Sequence, residues 1–189
     1  QPMPQPDSTA ETTRQPIDVE NVVGTHNGTF PEDDLINQKY GFESVTGIDS
    51  EVLLHLYRHK FRTDVRLHDT VSARARQAIQ DALRELAGGF AFALVDKDLP
   101  DELHLFRNFK PLNLAYQITS RSVLDVGTFG VTSIASEVLY FGSEKKALVE
   151  ALQVDINAAG LFDTSLKFTQ IPPYSGMSFS LKNKEIHEW

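Results

Sequence analysis

Residues 22–30 read VVGTHNGTF, with the tripeptide His26-Asn27-Gly28 at the centre. Two valines lead into the tripeptide, and a threonine and a phenylalanine follow it. An Asn-Gly pair between apolar residues is typical of a two-residue β-turn, because both residues tolerate the positive φ that such a turn requires. Alternatively, the side-chain amide of Asn27 and the backbone N–H of Gly28 are directed at a ligand. The nine residues alone leave both interpretations open.

The composition is that of an acidic, one-domain globular protein. The chain has 189 residues, of which 41% are hydrophobic and 23% charged, and its formal net charge is −8. This charge argues against binding to nucleic acid or to an anionic membrane surface, since both require clustered lysine and arginine. No apolar run approaches the roughly 20 residues needed to span a bilayer. No signal peptide is visible, so we expect a cytoplasmic protein.

Cysteine is absent from all 189 residues. This excludes disulfides, thiolate metal sites and thiol nucleophiles within the sequence. The chain opens with QPMPQPDSTAETTRQP rather than with methionine, which suggests a fragment or a processed product. Residues 1–16 contain four of the nine prolines and predict an extended loop. A single domain is then expected over residues 17–189.

Hydrophobic periodicity predicts helices in the first half of the chain and strands in the second. A short strand is expected over 19–25, ending at the Asn-Gly pair, followed by helices over 49–61 and 70–86. The second helix carries an apolar stripe at helical spacing and ends before Gly88-Gly89. Further strands are predicted at 90–96, 103–106, 112–118, 138–143 and 176–181, with a short helix at about 144–152. This order indicates an α+β fold built on antiparallel sheet.

Several of these segments, taken in order, resemble class II glutamine amidotransferases. They are His26-Asn27-Gly28, Ile48-Asp49-Ser50-Glu51, and the segments over 88–96, 107–112 and 141–148, with Arg14-Gln15-Pro16-Ile17 upstream and IPPYSGMSFSL (171–181) downstream. The resemblance spans about residues 14–181. It implies the four-layer αββα sandwich of N-terminal-nucleophile hydrolases, with antiparallel sheets and with the first strand or strands missing from these residues.

The resemblance also implies an activity, namely hydrolysis of glutamine to glutamate and ammonia for an amination reaction. Attack on the side-chain amide passes through a tetrahedral oxyanion, which preorganised donors stabilise. In the family, an asparagine side chain and the following glycine N–H supply these donors, and they correspond to Asn27 and Gly28. The resemblance places Asp49, which would bind the α-ammonium group, and His26 among the substrate-binding residues. For Asp49, the alternative is a first-turn acid that caps the helix.

Two parts of the family's machinery have no match in the sequence. The family's nucleophile is an N-terminal cysteine whose own α-amine acts as the base, whereas this chain begins with Gln1 and contains no cysteine. The arginine that binds the substrate α-carboxylate would fall at or before residues 1–3, and Arg14 lies too close to the tripeptide to replace it. As given, the chain is therefore expected not to release ammonia. The expected partners are glutamine and either a separate N-terminal segment or an acceptor (synthase) domain, without any cofactor.

Other motifs favour structural roles. His55 and His59 have a spacing that can bind zinc, but no third ligand accompanies them, so no metal site is expected. The Gly88-Gly89 pair precedes a strand and not a helix, so it does not indicate a dinucleotide site. Arg107 and Asn108 are more typical of charged and polar strand ends than of ligand contacts. Two other functions stay open: a scaffold that keeps the fold without catalysis, and an unrelated α+β hydrolase in which His26 acts as a base.

Overall fold

A computed structural model describes residues 15–117, 120–124, 131–135, 139–159 and 166–189. The proline-rich loop predicted over 1–16 therefore lies outside the described residues, except for Gln15 and Pro16, and so does Arg14. In chain order the elements are β1 (Ile17–Val19), β2 (Val22–Thr29), α1 (Asp33–Tyr40), α2 (Glu51–Thr63), α3 (Val71–Leu83), β3 (Gly89–Asp96), β4 (Glu102–Arg107), β5 (Asn113–Gln117), β6 (Ser120–Leu124), β7 (Val131–Ala135), β8 (Leu139–Gly142), α4 (Lys145–Ala159), β9 (Leu166–Gln170), β10 (Ser175–Ser180) and β11 (Glu185–Glu188).

The strands form two sheets in which every described pairing is antiparallel. The larger sheet has the order β1-β2-β3-β4-β10-β11-β7-β6, and the smaller has the order β8-β5-β9. The predicted hairpin between β3 and β4 is present, and it pairs Phe92 with Phe106. The α+β class with antiparallel sheets is confirmed.

Two hydrophobic clusters divide the domain into layers. On β3, alternate side chains point to opposite faces of the sheet. Phe90, Phe92 and Leu94 pack in the cluster that contains the buried residues of α2 and α3. Ala91 and Ala93 belong to the other cluster, together with Leu114 and Tyr116 of the smaller sheet. Helix α4 contacts β5 and β8 on the smaller sheet. The layers are thus helix, sheet, sheet and helix.

Most of the predicted elements are present, with shifted ends. The helix predicted over 49–61 is α2, and the helix predicted over 70–86 is α3, which begins after the N-cap residue Thr70. The Thr70 hydroxyl accepts a hydrogen bond of 3.0 Å from the N–H of Ala73. The strand expected over 19–25 extends from Val22 to Thr29, and the chain reverses instead at Glu20 and Asn21, which both have positive φ.

Helix α1 has no counterpart among the predicted elements. It buries only Ile36, so its sequence lacks the apolar stripe by which a helix is usually identified. The signals that it does carry are two acidic residues in its first turn and Gly41 in left-handed conformation after its last. Among the described residues, no helix is both long and apolar enough to cross a membrane.

Candidate functional site

The pair Asn27-Gly28 lies inside strand β2 and not at a hairpin corner. Residues His26, Asn27 and Gly28 pair in register with Phe92, Ala91 and Phe90 of β3. The plain-turn interpretation of this pair is therefore wrong. The local preference of an Asn-Gly pair for a turn is overridden here by the pairing with β3, which involves eight consecutive residues of β2.

The side chains of His26 and Asn27 lie on opposite faces of the larger sheet. His26 is opposite Phe92, on the face covered by helices, whereas Asn27 is opposite Ala91, on the face towards the smaller sheet. Asn27 is exposed and lines a cavity of about 170 Å³ between β2, β3 and the Phe141–Ser143 segment. Its amide is therefore accessible to a ligand.

Gly28 occupies a position that only glycine fits. Its φ is 152°, and a Cβ at this residue would overlap the carbonyl oxygen of Gly89. Strand β1 pairs with β2 only over Val22–Gly24, so no described strand covers this side of β2 at Gly28. Backbone groups two residues apart point to the same side of a strand. The N–H of Gly28 consequently points, like that of His26, to the uncovered side of β2.

Gln15 takes the place of a neighbouring strand at His26. Its side-chain oxygen accepts the N–H of His26 at 2.7 Å, and its side-chain nitrogen donates to the carbonyl of His26, also at 2.7 Å. A primary amide offers one acceptor and a donor, as a peptide group does. Gln15 thereby satisfies the backbone N–H and carbonyl of His26, two residues before Gly28. It does not cover the N–H of Gly28.

Asp49 is anchored to the end of the same strand. Its Oδ2 accepts the backbone N–H of Phe30 at 2.7 Å, two residues beyond Gly28. The alternative role as a helix cap is not observed, since α2 has Ser50 as its N-cap residue and no side-chain cap bond. The Asp49 side chain is 25% exposed. Its other oxygen, Oδ1, accepts a long hydrogen bond of 3.3 Å from the Ser50 hydroxyl and still has a lone pair for a cationic group.

His26 lies behind Asp49, in an apolar enclosure. Its ring stacks on Phe30 with a centroid distance of 4.6 Å and on Phe92 at 5.5 Å. Nδ1 lies 2.5 Å from the hydroxyl of Ser50 and 3.9 Å from Oδ1 of Asp49. Burial lowers the pKa of His26, and the Asp49 carboxylate only partly opposes this. At neutral pH the ring is therefore uncharged.

The Asp33 carboxyl lies close enough to Asp49 for the two charges to interact. Burial raises the pKa of the nearby Asp33, and the carboxylates of Asp34 and Asp49 raise it further, although backbone N–H groups of Asp34 and of Asp33 itself oppose this. A cation near Asp49 would relieve the repulsion among these carboxylates. An ammonium group matches this environment.

Glu51 fixes the loop that carries Asp49. It is 1% exposed, and its carboxylate accepts the backbone N–H groups of Val45 and Thr46 at 2.6 and 2.9 Å. Burial alone would raise the pKa of Glu51, but these bonds and those from the Thr46 and Ser44 hydroxyls lower it overall. Ser50 and Glu51 thus position Asp49. Although both belong to the quoted motif, its sequence does not indicate these roles.

Asn108 supports the strand opposite Gly28. It accepts the N–H of Phe90 at 2.6 Å and donates to the carbonyl of Gly88 at 2.6 Å. Arg107 donates to the carbonyls of Ile171 and Lys110 at 2.6 and 2.9 Å. These contacts agree with the structural roles expected for both residues.

The histidine pair on α2 is structural as well. His55 is buried against Phe42 and contacts the carboxylates of Glu20 and Glu51 at 3.2 and 3.3 Å. His59 packs against Tyr40. In the part of the chain that the structure describes, no cluster of potential ligands could hold a metal ion.

Comparison with known sequences identifies the family. The family profile described as "Glutamine amidotransferase domain" matches residues 7–128, about two thirds of the chain. A 7-cyano-7-deazaguanine synthase of Sulfolobus acidocaldarius is 25% identical over 162 residues, which cover 86% of this chain and 30% of the relative. A glutamine–fructose-6-phosphate aminotransferase of Thermococcus kodakarensis is 35% identical over 98 residues, 49% of this chain and 15% of the relative. The chain thus spans less than a third of the length of either relative.

Solved structures share the fold. The glutamine phosphoribosylpyrophosphate amidotransferase of B. subtilis superposes with a TM-score of 0.54 at 16% identity, covering 93% of this chain and 31% of that one. A structure described as the allosteric regulatory enzyme of purine biosynthesis gives a TM-score of 0.55 at 16% identity, covering 93% and 30%. The expected sandwich of the N-terminal-nucleophile type is therefore confirmed. Because the family profile covers about two thirds of its residues, the chain belongs to the class II glutamine amidotransferase family.

Proposed function

We propose that this chain is the glutamine-binding, ammonia-releasing domain of a larger amidotransferase. The observation that carries the proposal is the anchoring of the Asp49 carboxylate by the N–H of Phe30, two residues beyond Gly28. This bond holds a partly exposed carboxylate beside the strand that presents the two oxyanion donors. The same segment of β2 thereby positions the carboxylate that binds glutamine and carries the donors that stabilise the oxyanion.

In this proposal the two ends of the glutamine substrate bind to different residues. The α-ammonium of glutamine binds Oδ1 of Asp49, where the neighbouring carboxylates favour a cation. The side-chain amide lies beside Asn27 and Gly28, so that the Asn27 amide and the Gly28 N–H can donate to its oxygen. His26 is a positioning residue: its buried ring holds Ser50, which in turn donates to Oδ1 of Asp49 at 3.3 Å.

The chemistry is an acyl transfer in two steps. A thiolate attacks the amide carbon, the carbonyl electron pair moves onto oxygen, and Asn27 and Gly28 donate to that oxyanion. Collapse of the intermediate expels ammonia, which carries away the proton taken from the thiol. Water then hydrolyses the thioester to glutamate and regenerates the free thiol. Since the 189 residues contain no cysteine, this proposal requires a thiol from residues outside them. The ammonia would serve an acceptor domain, as the names of the relatives suggest.

Ligand-dependent stability tests the proposed binding site. A ligand that binds only the folded state stabilises it by RT ln(1 + [L]/Kd). In the natural full-length protein, glutamine and glutamate should raise the melting temperature, and Asp49→Asn should abolish the rise. The asparagine keeps an acceptor for the Phe30 N–H, so the fold should survive. Asp101→Asn, which removes an exposed charge in the loop between β3 and β4, is the control and should behave like wild type.

A non-catalytic glutamine-binding or scaffold protein is the second candidate function, favoured by the absence of cysteine from these residues. The two candidates differ in turnover. Ammonia release from glutamine by the full-length protein supports the enzyme, whereas a glutamine-dependent rise in melting temperature without ammonia release supports the scaffold. An equal rise in wild type and Asp49→Asn would remove Asp49 from the site under either candidate.

A further inference from the structure

In the described part of the chain, β2 has a neighbouring strand on only one side of the segment that carries the two oxyanion donors. Strand β3 pairs with all eight residues from Val22 to Thr29. On the opposite side, β1 pairs with β2 only from Val22 to Gly24. At His26 this side of β2 is bound instead by the side chain of Gln15. The segment with the donors is therefore held by a strand on one side and by a side chain on the other.

Gln15 holds both peptide groups that meet at His26. Its amide oxygen accepts the His26 N–H and its amide nitrogen donates to the His26 carbonyl, each at 2.7 Å. Because a peptide group is planar, the carbonyl of His26 and the N–H of Asn27 move as one unit. The second bond consequently fixes the peptide group that ends at Cα of Asn27. Gln15 thus restrains the residue whose side chain is the first oxyanion donor.

Gly28 lies between two residues whose backbone N–H groups are bound by side chains. Backbone groups two residues apart point to the same side of a strand, and His26, Gly28 and Phe30 follow one another at this spacing. Gln15 binds the N–H of the first and Asp49 that of the third, both at 2.7 Å. Glycine has the greatest backbone freedom of all residues. The direction of the Gly28 N–H therefore depends on restraints at its neighbours.

We propose that Gln15 is a positioning residue of the glutamine-hydrolysing site, which acts through the backbone of His26 on the donors Asn27 and Gly28. The inference rests on the function proposed above. Donors stabilise an oxyanion most when they are directed at its position before it forms, and the two bonds from Gln15 provide that preorganisation. A primary amide suits this role because it is both donor and acceptor and carries no charge. A carboxylate there would offer only acceptors, and its charge would oppose the oxyanion.

Steady-state kinetics of the natural full-length protein test this role. Gln15→Ala should lower kcat for ammonia release about tenfold or more while KM stays within about twofold, because displaced oxyanion donors weaken only the transition state. Gln15→Glu should lower kcat further, since its second oxygen faces the His26 carbonyl. Gln38→Ala and Gln38→Glu on α1 are the matched controls and should keep wild-type kcat; both glutamines are exposed, so the changes spare the core. Wild-type kcat in Gln15→Ala, or a loss confined to KM, would overturn the proposal.

Hydrogen–deuterium exchange without substrate tests the restraint independently of turnover. In Gln15→Ala the peptide over 22–30 should exchange about tenfold faster than in wild type, the effect of losing two hydrogen bonds of ordinary net strength. Exchange of this peptide in Gln38→Ala, and of α2 in both variants, should not change. Unchanged exchange over 22–30 in Gln15→Ala would overturn the proposal. A wild-type protein that releases no ammonia from glutamine would instead contradict the proposed function, because the exchange measurement does not depend on that activity.

Discussion

Nδ1 of His26 and the hydroxyl of Ser50 lie 2.5 Å apart in the buried layer behind Asp49. A serine hydroxyl has one proton, and Ser50 also donates to Oδ1 of Asp49 at 3.3 Å. The consistent assignment is that His26 Nδ1–H donates to Ser50 and Ser50 donates to Asp49. In this tautomer Nε2 carries the lone pair, and it has no partner among the described residues.

A double-mutant cycle measures this chain of hydrogen bonds. Ser50→Ala leaves the buried Nδ1 of His26 without an acceptor, so it should lower the free energy of unfolding by about 1–3 kcal/mol. In a His26→Leu background the same substitution should cost less than about 0.5 kcal/mol, because no polar ring is left unpaired. Chemical denaturation of the four proteins gives the coupling energy. Additive losses would show that the two side chains do not act on each other.

Asn27→Ala separates an oxyanion donor from a structural strand residue. In the full-length protein we expect kcat for ammonia release to fall about 10²–10³-fold with little change in KM, because the oxyanion exists only in the transition state. Thr25→Ala is the matched control, since Thr25 is also exposed and lines the same cavity. Steady-state kinetics of both variants decide the matter. An Asn27→Ala enzyme with wild-type kcat would exclude the donor role.

Gly28→Ala should disrupt β2. A methyl group there meets the Gly89 carbonyl while φ is 152°, so we expect a loss of about 2–5 kcal/mol from combined overlap and backbone strain. Gly41→Ala provides the comparison, because Gly41 also has positive φ, 70°, but nothing lies within 4 Å of the added atom. It should cost only about 1–2 kcal/mol. Thermal or urea unfolding measures both, and equal losses would mean that the Gly89 contact is unimportant.

His104 should make the fold sensitive to mild acid. Its ring is fully buried, with Nδ1 2.8 Å from the Ser178 hydroxyl. Burial lowers its pKa to about 4, and the guanidinium of Arg76 adds to this. Between about pH 6.5 and pH 4 the unfolded chain then binds a proton that the folded chain does not, so stability is complete above pH 6.5 and falls by about 3 kcal/mol as the pH drops to 4.

The His104→Gln variant checks this dependence. Its unfolding free energy should decline less between pH 6.5 and pH 4 than that of wild type, whereas His187→Gln, at a partly exposed position, should follow wild type. Some decline should persist in His104→Gln, because the pKa of His26 is also lowered. Urea unfolding across this pH range provides the data, and parallel curves for wild type and His104→Gln would contradict the prediction.

Local sequence signals predicted those elements whose faces are buried in a regular pattern. Strand β3 alternates between phenylalanine or leucine on one face and alanine on the other, and α3 buries a stripe that includes Ala75, Ala78 and Ile79. Both patterns are visible without any knowledge of neighbouring elements. The family motifs likewise led to Asn27, Gly28 and Asp49, which lie on and beside one end of β2.

Contacts between distant residues could not be predicted in this way. An Asn-Gly pair favours a turn locally, and only its register with β3 keeps it extended. Nothing in the residues around Gln15 indicates that its side chain pairs with the backbone of His26, 11 residues away. The edge-to-face contact of Tyr174 with Phe109 was not predicted either, because no local sequence signal brings these two residues together.

The central position of β10 in the larger sheet has a consequence for biosynthesis. Strand β10 lies between β4 and β11, and its Ser178 pairs with His104, 74 residues earlier. While the chain is being translated, β2, β3 and β4 can therefore assemble with α2 and α3 long before β10 leaves the ribosome. Until then the outer edge of β4 is an unpaired edge strand, to which a neighbouring nascent chain can add. Non-local strand pairing is slow. Addition of the β10–β11 hairpin to β4 should therefore limit the yield of folded protein at high expression rates.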